Sequence, residues 1–210
     1  MFDLKRIVAS FLLVIGMNQV FAQNQDALKN IDDNHQKVGF FVAYELAEMA
    51  FNNFQNFSGE VGVAFKNDHQ LRFVYQNVKL SESHLSSNFS KAVDGKNISG
   101  LMETYELFYD IKVYSTNSNN MLYWGLSTGY AEDYYQHTLL EDYVRNTTWT
   151  VGFAPSFRET NLFKVKGLYY KLAVPFRYYF DPLEKTNLGN STVKKHIFTN
   201  NIWFFVGYQF

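Results

Sequence analysis

The side chains in this sequence best placed to do chemistry are charges spaced at every second position. Read at strand period, Glu45, Glu60, Glu106 and Asp110 share the less apolar face of their segments with Arg72, Lys112, Arg158, Lys171 and Arg177. Charges on one face of successive strands become enclosed only if the sheet closes on itself. Inside a narrow barrel they must then pair, because an unpaired buried charge costs several kcal/mol. The set predicts a lumen closed by paired charges. The sharper alternative is a narrow conduit for small solutes, which needs those pairs to open, and the near balance of signs argues against strong ion selectivity. The histidines His35, His69 and His137 are scattered, without the i,i+2 or i,i+4 pairing that builds a metal site. Cysteine is absent, which excludes thiolate zinc and disulfides. Neither a metal nor a cofactor is expected.

The elements that would position these charges follow from the pattern along the chain. Lys5 and Arg6, the apolar run 7–17 and the small-residue site at residues 20–22 read as a secretory signal peptide over 1–22. Residues 23–36 are a polar lead-in, periplasmic and flexible, and 37–210 form the folded domain. No stretch reaches the roughly 18 consecutive apolar residues of a spanning helix. Eight alternating segments follow. Examples are Val38, Phe40, Val42 and Tyr44 against Gly39, Phe41, Ala43 and Glu45, and Tyr105, Leu107, Tyr109 and Ile111 against Thr104, Glu106, Phe108 and Asp110. Residues 45–51 could equally make a helical turn. Short turns at 66–70, 115–120 and 159–163 exchange with long loops at 81–99, 132–146 and 181–196. Pro155 and Pro175 each remove a ladder donor and are expected at bulges or strand ends.

Composition selects what covers the apolar face. The 21 Phe and 15 Tyr exceed what an ordinary Leu/Ile/Val core requires. A secreted sandwich or lipocalin-like barrel would also alternate, with charges outside. Here the second face mixes its charges with Gly, Ala, Ser and Thr, which suits a narrow lumen better than a solvent-washed surface. Tyr44, Tyr105, Trp124, Tyr130, Trp149, Tyr178 and Tyr208 take the outward parity and suit interfacial girdles. Losing residues 1–22 removes Lys5, Arg6 and Asp3 and leaves 17 basic against 19 acidic residues, so no basic excess points to nucleic acid.

The last stretch carries a resemblance. Ile202, Phe204, Val206, Tyr208 and Phe210 alternate up to a terminal aromatic, similar to the assembly signal of outer-membrane β-barrels. With the signal peptide and the alternation of short and long connections, the chain resembles the small eight-stranded superfamily of OmpA-type, OmpX-type and OmpW-type barrels, in a composition like members from Bacteroidetes. The resemblance implies an all-β, eight-stranded antiparallel up-and-down transmembrane barrel in the bacterial outer membrane. It also implies a monomer, with outer-membrane lipids including lipopolysaccharide and the barrel-assembly machinery as partners. Such families include anchors, adhesins, small-solute channels and lipid-modifying enzymes. The His-x-Ser-Asn motif of the lipid A deacylases has no match, since Ile197 and Phe198 follow His196; His84 and Asp94 with nearby serines make only a chance-level set. The role expected is structural, or extracellular interaction through the long loops without enzymatic activity. In the 132–146 loop Tyr134, Tyr135 and Tyr143 stand among acids as a candidate surface for an unknown extracellular ligand.

Overall fold

In the computed structural model, residues 38–47, 56–80, 93–94, 96–116 and 119–210 are described. The signal-peptide and lead-in readings fall outside them, as do residues 48–55. β1 (Gly39–Glu45), β2 (Phe57–Ala64) and β3 (Gln70–Leu80) are followed by the two-residue β4 (Val93–Asp94). Then come three 18-residue strands, β5 (Ile98–Ser115), β6 (Asn120–His137) and β7 (Tyr143–Thr160). β8 (Leu168–Ala173) and β9 (Phe176–Tyr179) form one stave, and β12 (Phe198–Asn200) and β13 (Trp203–Gln209) another. β10 (Thr186–Leu188) and β11 (Ser191–Val193) lie between those staves in sequence. Every neighbouring pair is antiparallel, and β1 closes on β13. The result is an eight-staved barrel.

The alternation arises because the barrel is inside-out. Phe40, Val61, Leu107, Trp149 and Phe204 project outward and are exposed, whereas Glu60, Arg72, Glu106, Asp110, Lys171 and Arg177 project inward and are buried. Closure leaves no sheet edge along the wall, which is the condition for backbone groups to be satisfied without water. The short connections are tight. In the first, Asp68 adopts φ 62°, its amide donating to the Phe65 carbonyl, and the Phe65 amide donates to the His69 carbonyl.

Two expectations from the sequence change. The 132–146 loop is largely sheet: β6 runs to His137 and β7 starts at Tyr143, leaving 138–142 as the connection. Above the apolar belt both faces of this hairpin carry polar residues, so alternation vanishes while the ladder continues. Pro155 marks neither a bulge nor an end; it pairs with Trp124 inside β7, and the register shift falls between Lys112 and Tyr114. Pro175 does separate β8 from β9, yet both pair with β7 in one register, so its missing donor interrupts the ladder without slipping it. β1 ends at Glu45, and a helical residue, Ala47, follows after Leu46.

Candidate functional site: the lumen and its cap

Register explains how long charged side chains fit in so narrow an interior. Across the ladder Arg72 faces Gly62, Glu106 faces Gly129, Asp110 faces Gly125, Arg177 faces Gly152 and Glu60 faces Ala43. Directly opposed positions lie about 5 Å apart, so a glycine there leaves room for its partner to turn across the lumen. A Cβ on Gly129 would lie 2.6 Å from Glu106 Cγ.

Two knots of charge occupy the interior. In the first, Arg72 Nε donates to Asp110 Oδ2 at 2.7 Å and its Nη1 to Glu60 Oε2 at 2.9 Å, while Lys171 Nζ donates to Asp110 Oδ2 at 2.8 Å. The Tyr169 hydroxyl donates to Glu60 Oε1 at 3.3 Å. In the second, Arg177 donates to Glu106 Oε2 through Nε at 2.8 Å and Nη2 at 2.6 Å, and to Gln76 Oε1 at 3.0 Å. Aromatic plates back the guanidinium groups: Arg72 lies 3.9 Å from the Phe108 ring centroid and Arg177 4.6 Å from that of Trp203.

Other charges predicted for this network are held differently. Arg158 and Lys171 face each other in register, a like-charge juxtaposition that their side chains relieve by diverging. Lys171 goes to Asp110, whereas Arg158 Nη2 donates to Gln209 Oε1 at 2.8 Å and its guanidinium stacks 3.8 Å over Tyr169. Arg158 is thus solvated by an amide and a ring, and it has no ion pair among those of the described residues. Glu45 accepts the Ala47 and Phe204 amides at 2.8 and 3.0 Å. Lys112 sits at the short-turn rim, half-buried, and pairs with Asp68 of the neighbouring turn. Beside them the His69 Nδ1 meets the Tyr109 hydroxyl at 2.9 Å. Burial first, then the Lys112 ammonium, hold the His69 imidazole below its ordinary pKa against the opposing pull of Asp68.

The long-loop end is covered by a structure that strand periodicity does not reveal. β10, β11 and β4 form a separate three-stranded sheet drawn from the 181–196 and 81–99 connections. Under it Leu183, Leu188 and Val193 pack with Tyr135 in an apolar cluster joined by Leu80, Val93, Ile98 and Val144. Tyr135 therefore does not belong to an exposed recognition surface: it is 2% exposed and supports the cap. Tyr143 remains exposed and its ring lies 5.7 Å from that of Tyr134 on the outer side of the hairpin. A buried ion pair ties the cap down, Lys195 Nζ donating to Asp133 Oδ2 at 2.5 Å while lying 4.0 Å over the Tyr179 ring. Asp133, Lys195, Gln70, Gln76, Tyr169 and Gln209 are absent from the set predicted from charge alone. Parity places the glutamines and Tyr169 on the inward face, so that signal was available. Lys195 lies in a loop, where no period could assign it.

The outward face is ordered as well. One row of directly opposed residues runs Tyr44, Gly59, Tyr75, Tyr105, Tyr130 and Trp149 across the ladder. On its long-loop side the outward residues turn polar: Glu103 accepts from the Tyr75 and Tyr105 hydroxyls at 2.6 and 2.8 Å, and Glu132 pairs with Arg145 at 2.6 Å. Tyr208 is exposed and pairs with Phe210 at 5.2 Å, at the short-turn end. Asp94 lies in β4, and His84 is outside the described residues. Among the described residues no group of three or more metal-capable His, Asp or Glu side chains comes together.

Fold and interior define a class: a closed eight-stranded antiparallel barrel with an apolar wall and a polar, ion-paired lumen. No protein-family profile matches the chain, and no curated protein matches it. Solved structures do. A major outer membrane protein from Thermus thermophilus aligns with TM-score 0.51 at 13% identity, over 83% of this chain and 100% of that one. The N-terminal β-barrel domain of Pseudomonas aeruginosa OprF aligns with TM-score 0.42 at 11% identity, over 82% and 96%. Ail, the attachment invasion locus protein of Yersinia pestis, gives 0.41 at 10% identity over the same shares. At such identities the likeness speaks to the fold alone, and that fold is the outer-membrane type of barrel.

Proposed function

We propose that this chain is a bacterial outer-membrane protein whose barrel is an anchor, with its long-loop end turned outward for a structural or interaction role. The inside-out polarity carries the proposal. From Asn120 to Tyr130, β6 rises about 34 Å along the strand, or about 26 Å along the axis at a tilt of about 40°. That height matches the apolar band of an outer-membrane barrel, with Tyr130 at its upper edge. A wall of exposed Phe, Leu and Val on this scale has no stable place in water. Heat-modifiable migration after detergent extraction from membranes tests it; a water-soluble product without that shift would overturn it.

The lumen supports a closed rather than a conducting state. Both knots span the interior, each carboxylate in them binds at least one cation directly, and the cap lies over the outer mouth. The second reading, passage of a small solute, would need both knots and the Asp133–Lys195 pair to open. Planar-bilayer recordings separate the two: silence supports closure, and discrete steps support the conduit. The partners that accompany this proposal are lipopolysaccharide and other outer-membrane lipids, the barrel-assembly machinery acting on residues 202–210, and an extracellular ligand of unassigned chemistry. The barrel acts as a monomer. A lipid-modifying activity would change lipid A mass on expression, and an unchanged spectrum is the expected result.

A further inference from the structure

The tyrosine row is broken at one position. Between Tyr44 and Tyr75 stands Gly59, on the floor of an open groove of about 600 Å3 in the outward wall. Val42, Val61, Phe73 and Val206 line it, and Leu168 and Tyr208 bound its short-turn end. At the long-loop end Phe57 arches over the gap, its ring 5.5 Å from Tyr44 and 6.0 Å from Tyr75. The polar tips of the two walls are already engaged, Tyr44 donating to the Asn56 carbonyl and Tyr75 to Glu103. The groove thus offers hydrocarbon contact and no hydrogen bond.

We infer that this groove seats one acyl chain of a glycerophospholipid from the leaflet on the short-turn side. The inference rests on the membrane placement proposed above, since a groove whose walls all belong to the bilayer-facing belt is filled by what the bilayer supplies. A headgroup or a peptide would bring polar groups that nothing here satisfies. A second copy would need about 800 Å2 of matching face, whereas this is a narrow concavity beside convex aromatic walls. The ring arch blocks entry from the long-loop side, so the chain enters past Leu168 and Tyr208. From Phe57 to Val61 the strand covers about 13 Å, room for a run of several methylenes held by packing against the fixed walls.

Native mass spectrometry of the detergent-extracted full-length protein tests this, with lipids identified after dissociation. Wild type should retain one phospholipid per barrel. G59L and V61F, which fill the groove from its floor and from its side, should each lower the retained fraction at least fivefold, while T128L adds bulk to the outward face elsewhere and should leave it unchanged. Heat-modifiable migration is recorded for each variant; Gly59 lies close to the Ala43 carbonyl, so V61F decides the matter if G59L does not fold. Equal retention by V61F and wild type overturns the groove as a site. Retained lipid A in place of phospholipid overturns the leaflet assignment, and loss of heat-modifiability in wild type would strike at the membrane placement instead.

Discussion

Asp110 is the shared acceptor of the first knot, and removing it is the severest single perturbation the lumen offers. D110A leaves Arg72 and Lys171, both fully buried, facing each other with Glu60 as the one remaining carboxylate of that knot. Breaking a buried pair by deleting one partner costs about 3–5 kcal/mol. Lys171 keeps only its 3.7 Å approach to Glu60 and a 3.4 Å hydrogen bond to Gln70, so the upper part of that range applies, about 4 kcal/mol. With a urea m-value of about 2 kcal/mol/M, the midpoint should fall by about 2 M. The assay is reversible urea unfolding of barrel refolded into micelles, followed by the heat-modifiable gel shift and by tryptophan fluorescence. A control separates charge from packing: K171M in the D110L background removes both a charge and its partner and should recover at least half of the loss, because apolar replacements of similar volume are tolerated where lone charges are not. A midpoint shift below about 0.5 M for D110A would refute the claim that the knot is dry and closed, and would favour water around these groups.

The remaining predictions concern the rim, the register, the cap and the terminus. K112M at the rim removes a partly exposed pair with Asp68 and should cost no more than about 1 kcal/mol in the same assay. G129A places a methyl group against Glu106 and the Tyr105 carbonyl and should cost about 1–3 kcal/mol by overpacking, although alanine suits a strand better than glycine does. K195M or Y135S should make residues 181–197 cleavable by added protease on whole cells while Y134S leaves cleavage unchanged; equal cleavage in all three would refute the cap. Deleting Phe210 should reduce membrane assembly more than export across the inner membrane, measured as the heat-modifiable fraction against the total exported protein.

The residue pattern by itself determined the staves and their facing. A strand's side chains alternate with a period of two, and the alternation is legible in residue type wherever one face meets apolar and the other polar surroundings, so Phe40 and Glu60 read as residues of opposite faces. The same rule explains the misassigned segment: above Tyr130 and Trp149 the outward face of β6 and β7 leaves the apolar belt, while Tyr135 turns inward under the cap, so Glu132, Asp133 and Tyr135 carry no period to read. Register was not legible, because it depends on how eight strands stagger on closing. Only tertiary structure set Gly62, Gly125, Gly129 and Gly152 opposite the charges they make room for, turned Arg158 away from Lys171 onto Tyr169, and brought Lys195 to Asp133 from a loop 62 residues distant. A charge inside a barrel is predictable from parity; its partner is chosen by the shear of the closed sheet.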